Sequence, residues 1–374
     1  MRVNVLMVGV HRETLGGMWT VAESYINNVE LNKRYQICYI PTAYAGPVFK
    51  RVLLSAVAYV RIFFVLLLGQ IQFVHIHMAS KGSFYRKSYV VRMAKLFRKK
   101  VIIHLHGAGF AGFYERSPQK KKEYIRRIIL KTDRMICLGD YWKKQIGLIS
   151  GMSDAENNIK TIVLNNAVPV PADNNYNINA NEFMFLGEIG KRKGIFDIVQ
   201  AVKKIDSLLP KEIIFAVYGK GETEKLQQMI AEYGLAGRIE VRGFLLKEDR
   251  AHAFSKIMVN ILPSYNEGLP MTILEGMAEG IPTISTDVGS ICEVVRDEEN
   301  GIIVTPGDID EIADAILRLV NDTQLRALYS KKCFELMKEK FSLESHIKCL
   351  QGIYADVLSQ ETEFKRLNND EFGT

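Results

Sequence analysis

The sequence predicts an α/β protein built from two successive units, each with a parallel sheet. Three observations carry that expectation. Short, apolar, β-branched runs alternate with helical stretches from end to end, and uninterrupted apolar runs of this length belong to strands covered on both faces. The alternation restarts after PVPADNNYNINANE, residues 169–182, a Pro-, Asn- and Asp-rich stretch without periodicity. A chain of 374 residues is also too long for one compact core and suits two ordinary domains.

Taken in order, the first-half strands are RVNVLMV, YQICYI, QFVHIHM, KVIIHLH, RMICLG and KTIVLN, with helical stretches between them. The second half repeats the pattern with EFMFLGE, EIIFAVYG, RIEVRG, IMVNILP, PTIST and GIIVTP. Strands separated by helices imply crossover connections and parallel pairing. The expected division is a first domain over residues 1–170, a linker over 171–181 and a second domain over 182–340. Residues 341–374 are expected to form a helix returning to the first domain, with a frayed polar tail, ETEFKRLNNDEFGT. The run Val52–Leu68 is the most apolar segment, but Arg61 at its centre argues against a membrane span and for a buried or interfacial helix.

Composition narrows the function classes. An apolar fraction of 48% and a charged fraction of 24% fit a globular protein. The N-terminus reads as a strand rather than a signal peptide, which points to a cytoplasmic protein. Five scattered cysteines without CxxC spacing read as reduced thiols, not a disulfide or zinc framework. The net charge of +7 is uneven: residues 1–173 hold 26 Lys/Arg against 10 Asp/Glu, the remainder 23 against 32. A basic first half suits anionic lipid headgroups or phosphorylated substrates. No nucleic-acid-binding signature accompanies it, so nucleic acid is the weaker partner.

Ligands of open parallel sheets bind beyond the carboxyl ends of the strands, which directs attention to four stretches. Gly16-Gly17 follows the first strand and opens a helix, where backbone N–H groups can approach a phosphate; a simple turn would use the same residues. The Rossmann GxGxxG spacing is absent, which disfavours a nicotinamide cofactor. Lys191, Arg192 and Lys193 precede Gly194 and a helix; they are placed to neutralise a diphosphate or simply form a solvated basic loop. The pairs His75/His77 and His104/His106 each share a strand face, yet no Cys or carboxylate stands beside them and a metal site is not expected. His106, at a strand exit, is better placed as a single donor. Last comes NEGLPMTILEG, with Glu267 in a loop, Pro270 suited to the first helical turn and Glu275 about one and a half turns into the helix.

PSYNEGLPMTILEGMAEGIPTISTDVGSICEVV resembles the signature of glycosyltransferase family four, retaining enzymes of GT-B type marked by two glutamates. The likeness extends through FLGEIGKRKGIFDIV, VYGKGE, VRGF and NGIIVTPGD, and in the first half through LGG, VHIH, HLHGAGF and VLNNAVP. The resemblance implies a GT-B fold, two Rossmann-like domains facing across a cleft. It implies that Glu275 binds the ribose hydroxyls and that Glu267 lies beside the donor sugar. Gly268, Leu269 and Pro270 would meet the sugar and phosphate, and Gly219 would line the nucleotide. Lys193 and Arg192, with Gly16 and Gly17, would neutralise the diphosphate, and His106 would touch the donor sugar. Two departures stand out: Glu188 occupies a position where the family often has Arg, and Asn165 one where proline is common.

The expected function is transfer of a sugar from a UDP- or GDP-sugar to an acceptor hydroxyl with retention, without metal or other cofactor. The basic half points to a lipid-linked saccharide acceptor and an anionic membrane surface, as in assembly of a surface polysaccharide. A sugar-nucleotide epimerase or a phosphorylase would share the fold. A non-catalytic nucleotide-sugar-binding subunit is the rival of another class, and Glu188 is the residue that favours it.

Overall fold

The structure, a computed structural model, describes residues 2–14 and 17–370, with side chains as far as residue 359. The chain divides into two compact units, residues 1–165 with 346 onward, and residues 166–345.

The first unit runs β1 (Val3–Gly9), α1 (Gly17–Ile26), α2 (Val29–Arg34), β2 (Tyr35–Pro41), α3 (Val48–Leu68), β3 (Ile71–Met78), α4 (Gly82–Leu96) and β4 (Lys100–Leu105). It continues through α5 (Phe110–Glu115), α6 (Gln119–Lys131), β5 (Arg134–Cys137), α7 (Asp140–Ser150), α8 (Asp154–Lys160) and β6 (Thr161–Val163). The second comprises β7 (Glu182–Leu186), α9 (Ile195–Ile205), β8 (Ile214–Tyr218), α10 (Thr223–Glu232), β9 (Ile239–Gly243), α11 (Arg250–Phe254) and β10 (Ile257–Leu262). After these come α12 (Met271–Ala278), β11 (Thr283–Thr286), β12 (Gly301–Val304), α13 (Ile309–Asn321), α14 (Thr323–Lys340) and α15 (Leu343–Asp370), whose greater part belongs to the first unit.

Both sheets are six-stranded, ordered β2-β1-β3-β4-β5-β6 and β12-β11-β10-β7-β8-β9. Every strand pair is parallel. All twelve expected strands form, because runs such as β3 and β10 are buried almost throughout, as a doubly covered sheet requires. The helices pack one apolar stripe on the sheet: in α9, Ile195, Ile198, Val199, Val202 and Ile205 are all buried. Ser153 and Glu156 close a capping box on α8, and Asp308 and Asp322 cap α13 and α14.

Four particulars differ from the sequence reading. The helix α3 is not buried: Ala58, Ile62 and Leu66 face the unit, whereas Phe49, Val52, Phe64 and Leu68 are exposed. Pro270 caps α12 instead of entering it, with Met271 as the first helical residue. The stretch read as a linker lies on the second unit. There the Tyr176 hydroxyl donates to the Met258 carbonyl at 3.0 Å, and Asn174 Nδ2 to Ser330 Oγ at 3.0 Å. The tail read as frayed continues as helix to Asp370, and residues 371–374 lie outside the described chain.

Candidate functional site

Strand order locates the crevice. In the second sheet β7→β8→β9 moves outward, and the chain then crosses back to lay β10 on the other side of β7. At such a reversal the loops beyond two adjacent strands part, and a ligand can enter. Beyond β7 lies Gly187–Gly190 and a 3-10 turn, Lys191–Lys193. Beyond β10 lies the segment from Pro263 to Gly268. Gly194 holds a left-handed φ of +75°, and a Cβ there would come within 2.1 Å of the Pro263 carbonyl oxygen. Glycine is therefore required for the two loops to close. The Tyr265 N–H donates to the Arg192 carbonyl at 2.9 Å and ties them.

Lys193 and Glu267 meet at this junction. Lys193 Nζ donates to Glu267 Oε1, which also accepts from Ser264 Oγ at 2.9 Å. The Arg192 guanidinium stands 3.6 Å from the same oxygen. The Lys193 and Glu267 side chains are 12% and 8% exposed, so this is a sequestered pair whose members depend on each other. Glu188 takes one face of Arg192, accepting from Nη2 at 2.8 Å. Two cations thus share one buried carboxylate, an arrangement open to a competing anion.

Glu275 sits on α12, five residues in. Its Oε1 accepts from Arg250 Nη1, while its Oε2 is buried without a hydrogen-bond partner. Burial pushes the Glu275 carboxyl above the usual carboxylate range, opposed by Arg250 and Lys247. Between the two glutamates, the Gly268 carbonyl accepts from Ser290 N at 2.9 Å, and the Leu269 carbonyl from Asn166 Nδ2 at 2.9 Å. Gly219 packs against the backbone after β7, where a Cβ would lie 1.8 Å from the Gly187 oxygen. The structure therefore brings Arg192, Lys193, Gly268, Leu269, Pro270 and Glu267 to one strand-end junction, with Glu275 one helix turn further on.

In the first unit the reversal falls between β1 and β3. Gly17 opens α1 there; Gly16 lies outside the described residues. His106 follows β4 and is partly exposed, whereas His75, His77 and His104 are fully buried. His106 Nε2 and His77 Nδ1 are 2.9 Å apart, and His75 Nδ1 is 2.6 Å from the Tyr354 hydroxyl. Burial holds the His75, His77 and His104 imidazoles well below their usual range, so they are neutral near pH 7. Ring nitrogens of His75, His77 and His104 lie within 4.8 Å of one another. The rings stack at 15–28°, and among the described residues no Cys or carboxylate joins this group. Lys87 is buried beside Ser83, its Nζ donating at 3.0 Å.

Sequence reasoning missed Arg250, Ser264 and Lys87 as members of these clusters. Ser264 stands inside the quoted motif and could have been weighed with it. Arg250 and Lys87 lie in charged stretches, where no spacing marks them.

Residues 171–335 match the family model of glycosyl transferases, group 1. The glycosyltransferase MJ1178 of Methanocaldococcus jannaschii is 27% identical over 256 residues, 67% of this chain and 66% of that protein. An Escherichia coli UDP-Gal:alpha-D-GlcNAc-diphosphoundecaprenol alpha-1,3-galactosyltransferase is 25% identical over 304 residues, 76% of this chain and 75% of its own length. Two further relatives align over only 45% and 58% of their lengths. Among solved structures, Anabaena HepE in complex with UDP-glucose superposes with a TM-score of 0.75 at 16% identity, covering 95% of this chain and all of that one. Each unit is Rossmann-like, and the likeness to HepE over nearly the whole chain makes the fold GT-B. Over residues 171–335 the chain is similar to the group 1 glycosyl transferases.

Proposed function

We propose that this protein is a hexosyltransferase that moves a sugar from a UDP- or GDP-sugar to a hydroxyl of a lipid-linked saccharide, with retention, in surface polysaccharide assembly. The observation that carries the reading is the Lys193–Glu267–Arg192 cluster at the β7/β10 reversal, one helix turn from Glu275. The ribose hydroxyls pair with Glu275, and the diphosphate draws Lys193 and Arg192 away from Glu267. Glu267, thus released, meets the donor sugar, with Gly268, Leu269 and Pro270 offering the start of α12 to the phosphates. As the bond from the anomeric carbon to the diphosphate breaks, its electron pair passes to the phosphate oxygen. Fixed cations stabilise that charge better in the transition state than in the ground state. The acceptor oxygen bonds to the same face of the sugar, and its proton leaves with the departing diphosphate. No metal or other cofactor enters the proposal.

The relatives support the substrate class by what their names describe: a UDP-sugar donor and a polyprenyl-diphosphate acceptor for the Escherichia coli enzyme, and bound UDP-glucose for HepE. The membrane belongs to the same proposal. Among the described residues α3 is the helix long and apolar enough to cross a bilayer, yet only 17% of its apolar window is buried. It has exposed Phe49, Val52, Phe64 and Leu68 beside exposed Lys50, Arg51 and Arg61. Apolar and cationic groups together suit the interface of an anionic inner leaflet, at the cytoplasmic face.

A panel of UDP- and GDP-sugars tests the donor assignment by thermal shift and by slow hydrolysis. One donor should raise the melting temperature of the wild type and be hydrolysed, and Lys193→Ala should lose at least tenfold in hydrolysis. If no nucleotide sugar shifts the wild type, the proposal fails. If one binds but the wild type does not turn it over, the binding-subunit reading replaces it; equal hydrolysis by Lys193→Ala would remove Lys193 from the catalytic role.

A further inference from the structure

A carboxylate that binds ribose must keep an oxygen free and stay ionised. Glu275 is unfavourably placed for the second requirement: its side chain is 13% exposed, and burial favours the protonated form. Two cations face it, Arg250 from the start of α11 and Lys247 from the loop before it. Arg250 bonds Oε1 alone, leaving Oε2 buried and unpartnered, and Arg250 Nε is likewise buried without a partner. A buried carboxylate oxygen without a donor is costly, and here it is the oxygen turned from the arginine. The ion pair thus leaves one half of the carboxylate committed and the other vacant.

We infer that Arg250 is a positioning residue for nucleotide binding: it holds Glu275 ionised and clamped through Oε1, so that Oε2 alone accepts from the ribose hydroxyls. This rests on the reading of Glu275 as the ribose ligand. Arg250 acts through Glu275 and touches no part of the nucleotide. Its side chain is 30% exposed, against 13% for Glu275, so the arginine lies on the solvent side of the pair. The charge, more than the fork geometry, is what Glu275 needs to stay ionised, and the fork is what fixes its rotamer.

The test is titration of UDP, and separately GDP, into the full-length protein from pH 5.5 to 8.5, using wild type, Arg250→Leu, Arg250→Lys and Glu275→Gln. Each variant's Kd is expressed relative to wild type at the same pH, which cancels the titration of the nucleotide's own phosphate. For Arg250→Leu the ratio should be within about threefold of one at pH 8.5. It should grow by up to about tenfold per pH unit as Glu275 protonates on acidification. Arg250→Lys keeps the charge and should remain near wild type in pH profile while losing a few-fold in affinity at every pH. Glu275→Gln should bind weakly, with a ratio independent of pH. A ratio for Arg250→Leu that is large but flat with pH would mean direct contact with the nucleotide and would overturn the inference. So would a ratio near one throughout. Should Arg250→Leu fail to fold, an Arg250→Lys ratio that climbs steeply on acidification would contradict the role given to charge. If Glu275→Gln binds as wild type, the ribose assignment fails first, whatever Arg250 does.

Discussion

Lys87 has no exposed surface, and among the described residues its ammonium has Ser83 Oγ at 3.0 Å and Met18 Sδ at 3.9 Å but no carboxylate. Burial lowers its pKa to about 7, with Arg86 lowering it further. Between that value and the unfolded one the unfolded chain binds the extra proton, so stability rises with pH. Acidification from pH 9.5 to 7.5 should therefore cost up to about 1.4 kcal/mol per pH unit through this group. Lys87→Met should flatten that slope in denaturant titrations; an unchanged slope would show that Lys87 is charged and compensated in the fold. The site pair gives a second residue-scale prediction. Glu267→Gln should destabilise by about 1–3 kcal/mol, because it leaves Lys193 and Arg192 facing each other. Adding Lys193→Met should recover part of the loss, as a double-mutant cycle in thermal denaturation would reveal. Glu267 and Glu275 were legible because they share one local motif, and Lys193 because it stands in a basic run between a strand exit and a helix. Arg250 was not, because its partner lies 25 positions away and only the β9-to-β10 crossover brings them together.

At the scale of the element, α3 shows what periodicity can and cannot select. Apolar residues occupy nearly all its faces, so no stripe stands out in the sequence, and the sheet decides that Ala58, Ile62 and Leu66 go inside. Phe49 and Phe64 remain 80% and 51% exposed. Replacing both with glutamate should leave the melting temperature within a few degrees and abolish sedimentation with anionic vesicles. Equal binding of the variant, or equal binding of the wild type to neutral vesicles, would remove the helix from the membrane proposal. Ile62→Asp, by contrast, should unfold the domain. The strands were legible for the opposite reason: each is short, β-branched and bounded by turn residues, so composition and length agree.

The whole molecule depends on one long return. Residues from His346 onward belong with the first unit, where Tyr354 is fully buried. Its ring centroid lies 4.7 Å from that of Phe73 and 4.9 Å from that of Tyr35, and its hydroxyl bonds His75. A chain ending at Ser345 should therefore lose the cooperative unfolding of the first unit while the second unit, residues 166–345, keeps its own transition. Two coincident transitions lost together would contradict this. Strand count and parallel pairing could be read from the alternation of runs, but strand order could not. The two reversals that locate the crevices depend on which side of β1 or β7 the returning strand pairs, a property of the assembled sheet that no local run encodes. The central claim, that the β7/β10 junction performs sugar transfer, is tested most directly by release of UDP or GDP from the matching donor in the presence of a polyprenyl-diphosphate-linked saccharide. Wild type should release nucleotide in step with an acceptor extended by one sugar, and Lys193→Ala and Glu267→Ala should each fall by at least a hundredfold, about 2.7 kcal/mol in the barrier. Extension at the wild-type rate by either variant would contradict the account.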